Sequence, residues 1–135
     1  MKNFEPIADR GLAQIRSEYP QAHIVSGRHA DLVTIPGFRL CSGWTADGKP
    51  ADICTVLFER PAGFPAACPE HFFVDIPLRL ADRSYAKNSR PGDIYKFPQW
   101  SNVTWFSWHL QMWDPNRDSL YTYLKVIHMR MKPAR

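Results

Sequence analysis

Thiols and imidazoles are the groups in this chain of 135 residues that could do chemistry. A thiolate is a strong nucleophile and an acyl acceptor. The cysteines are Cys41, Cys54 and Cys68. They are 13 and 14 residues apart, with no Cys-x-x-Cys pair, so a structural zinc site is not expected. An odd number also argues against a disulfide framework, and all three read as reduced thiols. Cys54 falls inside an apolar run and reads as core, and Cys41 carries no signal. Cys68 lies in the tract 61–70, PAGFPAACPE, between Pro65 and Pro69. Its plainest reading is a small side chain packed among prolines. It is nonetheless the first thiol to test.

His109 is the second candidate. It sits in VTWFSWHL, residues 103–110, near Trp105, Trp108 and Trp113. An imidazole there could shuttle a proton, accept an acyl group weakly, or organise a loop. A dry aromatic shell disfavours the charged ring, so a neutral histidine is expected, hydrogen-bonded and turned away from solvent. Its plainer reading is a core histidine satisfied by a backbone carbonyl. Ser107 has no matched base at a recognisable spacing. The aromatics from Tyr95 to Trp113 read as core at Trp105 and Trp113. Trp100, among polar residues, reads as an interface residue.

The positioning elements follow from pattern. The length suits one domain spanning residues 1–135, with a core of its own. An apolar fraction of 44% and a charged fraction of 22% are ordinary for a globular protein. The uncharged stretch 103–113 is too short to span a bilayer, and the N-terminus lacks the apolar run of a secretory signal, so a cytoplasmic protein with no membrane partner is expected. The net charge of +4 is scattered, which gives no stripe for nucleic acid. The basic residues Lys125, Arg130, Lys132 and Arg135 read as a solvated helix end. Nothing calls for a cofactor.

Residues 6–18 are expected to be helical, opened by Pro6 and closed by Tyr19-Pro20. Strands are expected at 31–36 and 38–44, then a turn at 46–49 around Gly48. The strand 52–60, apolar on both faces through Ile53, Val56, Leu57 and Phe58, is expected to be central and to pair with 38–44. The tract 61–70 reads as an extended crossing. A strand at 71–76, a long loop at 79–101 and an extended segment at 103–110 follow. Residues 118–131 read as a helix with Leu120, Leu124, Ile127 and Met131 on one face and Asp118 as N-cap. Helices at the ends of a run of strands make an α+β fold.

This order and two motifs resemble the ubiquitin-conjugating (UBC) superfamily. Phe64-Pro65-Ala66-Ala67-Cys68-Pro69-Glu70-His71-Phe72 is similar to the family's proline-rich crossing between strands. Trp113-Asp114-Pro115 is similar to its Trp-Ser-Pro turn before a helix. The resemblance covers residues 5–131. Phe73-Val74-Asp75-Ile76-Pro77-Leu78-Arg79-Leu80 and Trp105-Phe106-Ser107-Trp108-His109 most resemble the prokaryotic UBC-like family E. The resemblance implies an N-terminal helix, a four-stranded antiparallel meander, a long loop and a C-terminal helix. It also implies an activating enzyme and a ubiquitin-like protein as partners, with a JAB-type peptidase in the same bacterial pathway.

One departure bears on function. The family's cysteine lies shortly before the Trp-x-Pro turn, after His-Pro-Asn. Residues 93–112 contain neither. The expectation is therefore a conjugating-enzyme-like component with Cys68 and His109 as candidate catalytic residues. A non-catalytic UBC-fold adaptor is the alternative. A small-ligand or nucleic-acid binder, and an unrelated enzyme built on His109, are the readings in other classes.

Overall fold

The computed structural model describes residues 5–94 and 97–135. Tyr95, one of the aromatics considered above, and the first four residues lie outside the described residues. The expected first helix is split. Ile7–Asp9 form a 3-10 turn, and α1 runs over Leu12–Glu18. Gly11 breaks them with φ of +91°. A Cβ there would stand 2.6 Å from the Ser119 Oγ, so only glycine fits this close approach.

The strands are β1 (His23–Val25), β2 (Ala30–Arg39), β3 (Trp44–Ala46), β4 (Lys49–Pro50) and β5 (Ile53–Pro61). After them come β6 (His71–Val74), β7 (Leu78–Leu80), β8 (Ser89–Gly92) and β9 (Val103–Ser107). The main sheet is antiparallel and six-stranded, in the order β1-β2-β5-β6-β9-β8. The α+β class holds, but the sheet has six strands where four were expected. The expected strands 31–36 and 38–44 give only β2 here, the extended segment 103–110 supplies β9, and the remaining two are the short edge strands β1 and β8. Their few residues, with Pro91 in β8, give no alternating run to read.

Two expected strands are one. Residues 31–36 and 38–44 were separated at Pro36-Gly37, yet β2 runs on through that pair to Arg39, while 40–43 form no strand and Trp44 begins β3. The register shifts between Ile35 and Phe38, with Gly37 at φ +80°, so the pair is a bulge and not a strand end. β5 pairs along β2 from Ala30↔Pro61 to Arg39↔Ile53. β5 is central as expected, flanked by β2 and β6. Val56 and Phe58 face one core and Leu57 the other, but Ile53 at the strand end is 55% exposed. The turn at 46–49 joins β3 to β4, with positive φ at Asp47 and Gly48, in a second sheet ordered β4-β3-β7.

α2 covers Leu120–Met131. Its cap is Ser119 and not Asp118. The Thr122 N–H donates to the Ser119 Oγ while the Thr122 hydroxyl accepts from the Ser119 N–H. Asp118 is engaged one step earlier, where its carboxylate accepts from the Asp114 N–H at 2.8 Å and closes the 113–118 turn. Leu120, Leu124, Ile127 and Met131 are buried against the sheet with Tyr123. The opposite face of the sheet is covered differently. Leu32, Leu57, Phe73 and Val103 meet Ile94 and Phe97 from the 93–102 segment, and Trp100 packs at their rim. The region expected to be a long polar loop thus contains β7, β8 and the lid of a second core.

The C-terminal basic cluster also differs from expectation. Arg130 is 1% exposed and sits between the rings of Phe106 and Trp108, each 5.1 Å from its guanidinium carbon. Its Nη2 donates to the carbonyls of Lys87 and Arg135. Burial and the nearby Arg135 push its pKa down to about 10. Packing won over solvation because position 130 falls on the inner side of α2.

Candidate active site

The two tracts that could do chemistry leave the sheet at the same end. In the β6–β9 ladder His71 pairs with Ser107. Cys68 lies three residues before His71, and the segment 108–113 follows Ser107. The 61–70 tract is not extended. It turns, with the Phe64 N–H donating to the Pro61 carbonyl and the Ala67 N–H to the Gly63 carbonyl. The φ that proline fixes suits turns as well as extended chain.

The second motif holds the first. The Trp113 indole N–H donates to the Pro65 carbonyl at 2.7 Å. Its ring lies 6.0 Å from that of the buried Phe64. Below them the Tyr123 hydroxyl donates to the Trp108 carbonyl at 3.1 Å. Burial pushes the Tyr123 phenol up, and the charges of Cys68 and Glu70 add to this.

Cys68 lines a groove of about 250 Å³ together with Glu59, Ala67, Glu70 and His71. The His71 Nε2 is 3.9 Å from the Glu59 Oε1. The imidazole is held edge-on to Phe73 at 5.4 Å and packs 6.1 Å from Trp105. Cys68 is half-buried. Burial pushes its thiol up, and Glu70 raises it further. The thiol is therefore protonated at neutral pH, and it needs a base before it can attack. The groove is lined by a thiol, an imidazole and carboxylates.

His109 does not join them. It is exposed, its ring makes no hydrogen bond among the described residues, and it does not line the groove. The expected enclosed, hydrogen-bonded histidine is not found. The reason is local: Trp108 turns inward against Arg130 and gives its carbonyl to Tyr123, so the next residue faces out. Ser107 is half-buried, and its N–H is taken by the Asn88 carbonyl. Cys54 is buried in β5 as expected, and burial pushes its thiol far up. Cys41 is half-buried, and its thiol donates to the Met131 carbonyl at 3.4 Å.

The tryptophans part from expectation too. Trp105 is half-buried, not core, and carries the Arg90 guanidinium 4.4 Å above its ring. Trp113 is half-buried. Trp100, expected at an interface, is half-buried at the rim of the second core. Residue-by-residue reading missed His71 and Glu59. The available signal was a histidine three places after Cys68 and an acidic residue, Glu59, near the end of an apolar strand.

Among the described residues no three of His, Cys, Asp and Glu gather closely enough to hold a metal ion. No helix among them is long and apolar enough to cross a membrane. No family model, curated protein or solved structure matches the chain.

Proposed function

We propose that the chain is a ubiquitin-conjugating-enzyme-like component of a bacterial ubiquitin-like protein conjugation pathway, closest in kind to the prokaryotic UBC-like family E. It takes the ubiquitin-like protein as an acyl group from an activating enzyme, and a JAB-type peptidase in the pathway reverses the conjugation. The observation that carries this reading is the Trp113–Pro65 hydrogen bond. It joins the two motifs on which the resemblance rests, and Cys68 lies within the first of them. Cys68 is the acyl acceptor in this reading, because the other two thiols are a buried core group and one bonded to a helix carbonyl. The site lies in the cytoplasm, where thiols stay reduced.

The second reading is a non-catalytic adaptor of the same fold. The raised Cys68 thiol and the absence of any cysteine after residue 68 favour it. One experiment separates the two. The chain is mixed with a bacterial activating enzyme and its ubiquitin-like protein, with ATP, and intact mass is measured. The conjugating reading expects a thiol-sensitive adduct, lost in Cys68→Ser and kept in Cys41→Ser and Cys54→Ala. A complex without an adduct selects the adaptor. Neither adduct nor complex sinks both. An adduct that survives Cys68→Ser moves the acceptor elsewhere.

A further inference from the structure

We propose that Cys68, His71 and Glu59 form a thiol–imidazole–carboxylate centre in which His71 is the base for Cys68. All three line the same groove, and the sheet register fixes two of them. Phe58 pairs with Phe72, so Glu59 and His71 stand one step beyond that pair at the end of the β5–β6 ladder. The backbone there is strand, so the base and its carboxylate are rigidly placed, while the thiol sits on the turned tract tied down by Trp113.

The roles follow from the contacts. Glu59 faces the His71 Nε2 at 3.9 Å and favours a proton there. That leaves Nδ1, which makes no hydrogen bond among the described residues, as the nitrogen that accepts the Cys68 proton. The thiol and the ring share the groove without a hydrogen bond between them, and catalytic contacts of this kind often close only when substrate binds. Phe73 and Trp105 hold the ring from two sides. Glu70 opposes ionisation of the thiol, which keeps Cys68 quiet until a base acts on it.

The chemistry this serves rests on the conjugating reading above. The Cys68 Sγ bonds to the carbonyl carbon of the acyl thioester carried by the activating enzyme, and its proton passes to His71. The carbon–sulfur bond to the donor thiol then breaks, and His71 returns the proton to the departing thiolate. No oxidant or further reactant is required. His71 thus supplies by proton transfer what a low thiol pKa supplies elsewhere.

The test needs no partner protein. The full chain is treated with iodoacetamide from pH 5.5 to 9, and the alkylation of each cysteine is followed by peptide mass spectrometry. Cys41 and Cys54 are internal references. At pH 7.5, Cys68 in His71→Gln is expected to react about tenfold more slowly or worse, with the references unchanged. Any part of the Cys68 pH–rate profile that depends on the His71 ring should vanish with it. Glu59→Gln keeps the ring and its packing on Phe73. It should slow Cys68 about threefold, and it supplies an independent reading where His71→Gln melts early. Glu70→Gln should speed the reaction. Equal Cys68 rates and equal pH profiles in the parent, His71→Gln and Glu59→Gln chains overturn the proposal. A Cys68 that reacts as expected but takes no acyl group sinks the conjugating reading alone.

Discussion

The two faces of the main sheet are buried by different means. One face is covered by α2, whose Leu120, Tyr123, Leu124, Ile127 and Met131 repeat with the helical period. The other is covered by the 93–102 segment, whose described residues form no helix or strand and touch the sheet through Ile94, Phe97 and Trp100. That segment holds itself by short backbone bonds, Ile94 N–H to the Trp100 carbonyl and Trp100 N–H to the Phe97 carbonyl, and by the Asn102 N–H to the Asp93 carboxylate at 2.8 Å. A helix spreads its hold over three turns, whereas the loop concentrates it in a few rings. The helix face should therefore fail globally and the loop face locally.

The largest expected effect is on the helix face. Leu124 is fully buried, and Leu124→Ala should cost about 3 kcal/mol in denaturant unfolding. A loss below about 1 kcal/mol would mean that α2 is not the main cover. Phe97 is 3% exposed, and Phe97→Ala should cost about 2 kcal/mol. Limited proteolysis should then cut within 93–102 while the chain stays folded. If cleavage and global unfolding rise together, the two faces are one unit and the contrast fails.

Acid reaches the loop face through Asp31. Its carboxylate accepts from Arg60 and from the Gly27 N–H, and Gly27 lies so close to Phe97 that a Cβ there would come within 2.7 Å of the ring. The Arg60 hydrogen bond holds the Asp31 carboxyl below its ordinary range. A depressed carboxyl stabilises the fold fully above its ordinary pKa of about 4 and loses that contribution as pH falls through the lower folded value. Asp31 is about a third exposed, so the contribution is under about 1 kcal/mol. Melting curves from pH 6 down to pH 2.5 should therefore fall less steeply in Asp31→Asn. Equal slopes would detach Asp31 from this face.

The smallest expected effect is at His109. It is exposed, so His109→Ala should change stability by less than about 0.5 kcal/mol. A pull-down with the activating enzyme then reads its contribution to binding without interference from folding. A large drop in melting temperature would mean that the ring is part of the fold.

What the sequence disclosed follows the same division. The helix face was legible, because Leu120, Leu124, Ile127 and Met131 keep a period that only a helix explains. The centrality of β5 was legible from Val56, Leu57 and Phe58. The loop face was not, because Ile94, Phe97 and Trp100 sit among polar residues and prolines without a period. β2 was divided in two because a proline–glycine pair marks a turn and a bulge alike. At the site, Cys68 was visible as a residue type. His71 became a partner only through the β5–β6 register and the turn of the 61–70 tract, which are tertiary facts. His109 was misplaced because an aromatic neighbourhood in sequence does not say which ring turns inward.

The meeting of Gly11 with Ser119 has a consequence for motion. α1 has seven residues, too few to persist alone in water. Its first turn lies against the cap of α2, where the Leu120 N–H donates to the Arg10 carbonyl at 2.9 Å. The start of one helix cannot fray without uncapping the other. Amide hydrogen exchange should therefore release the Ile15 and Leu124 protons through a common opening, with equal free energy and equal sensitivity to denaturant. Two helices separated by a hundred residues of chain would then behave as a single cooperative unit.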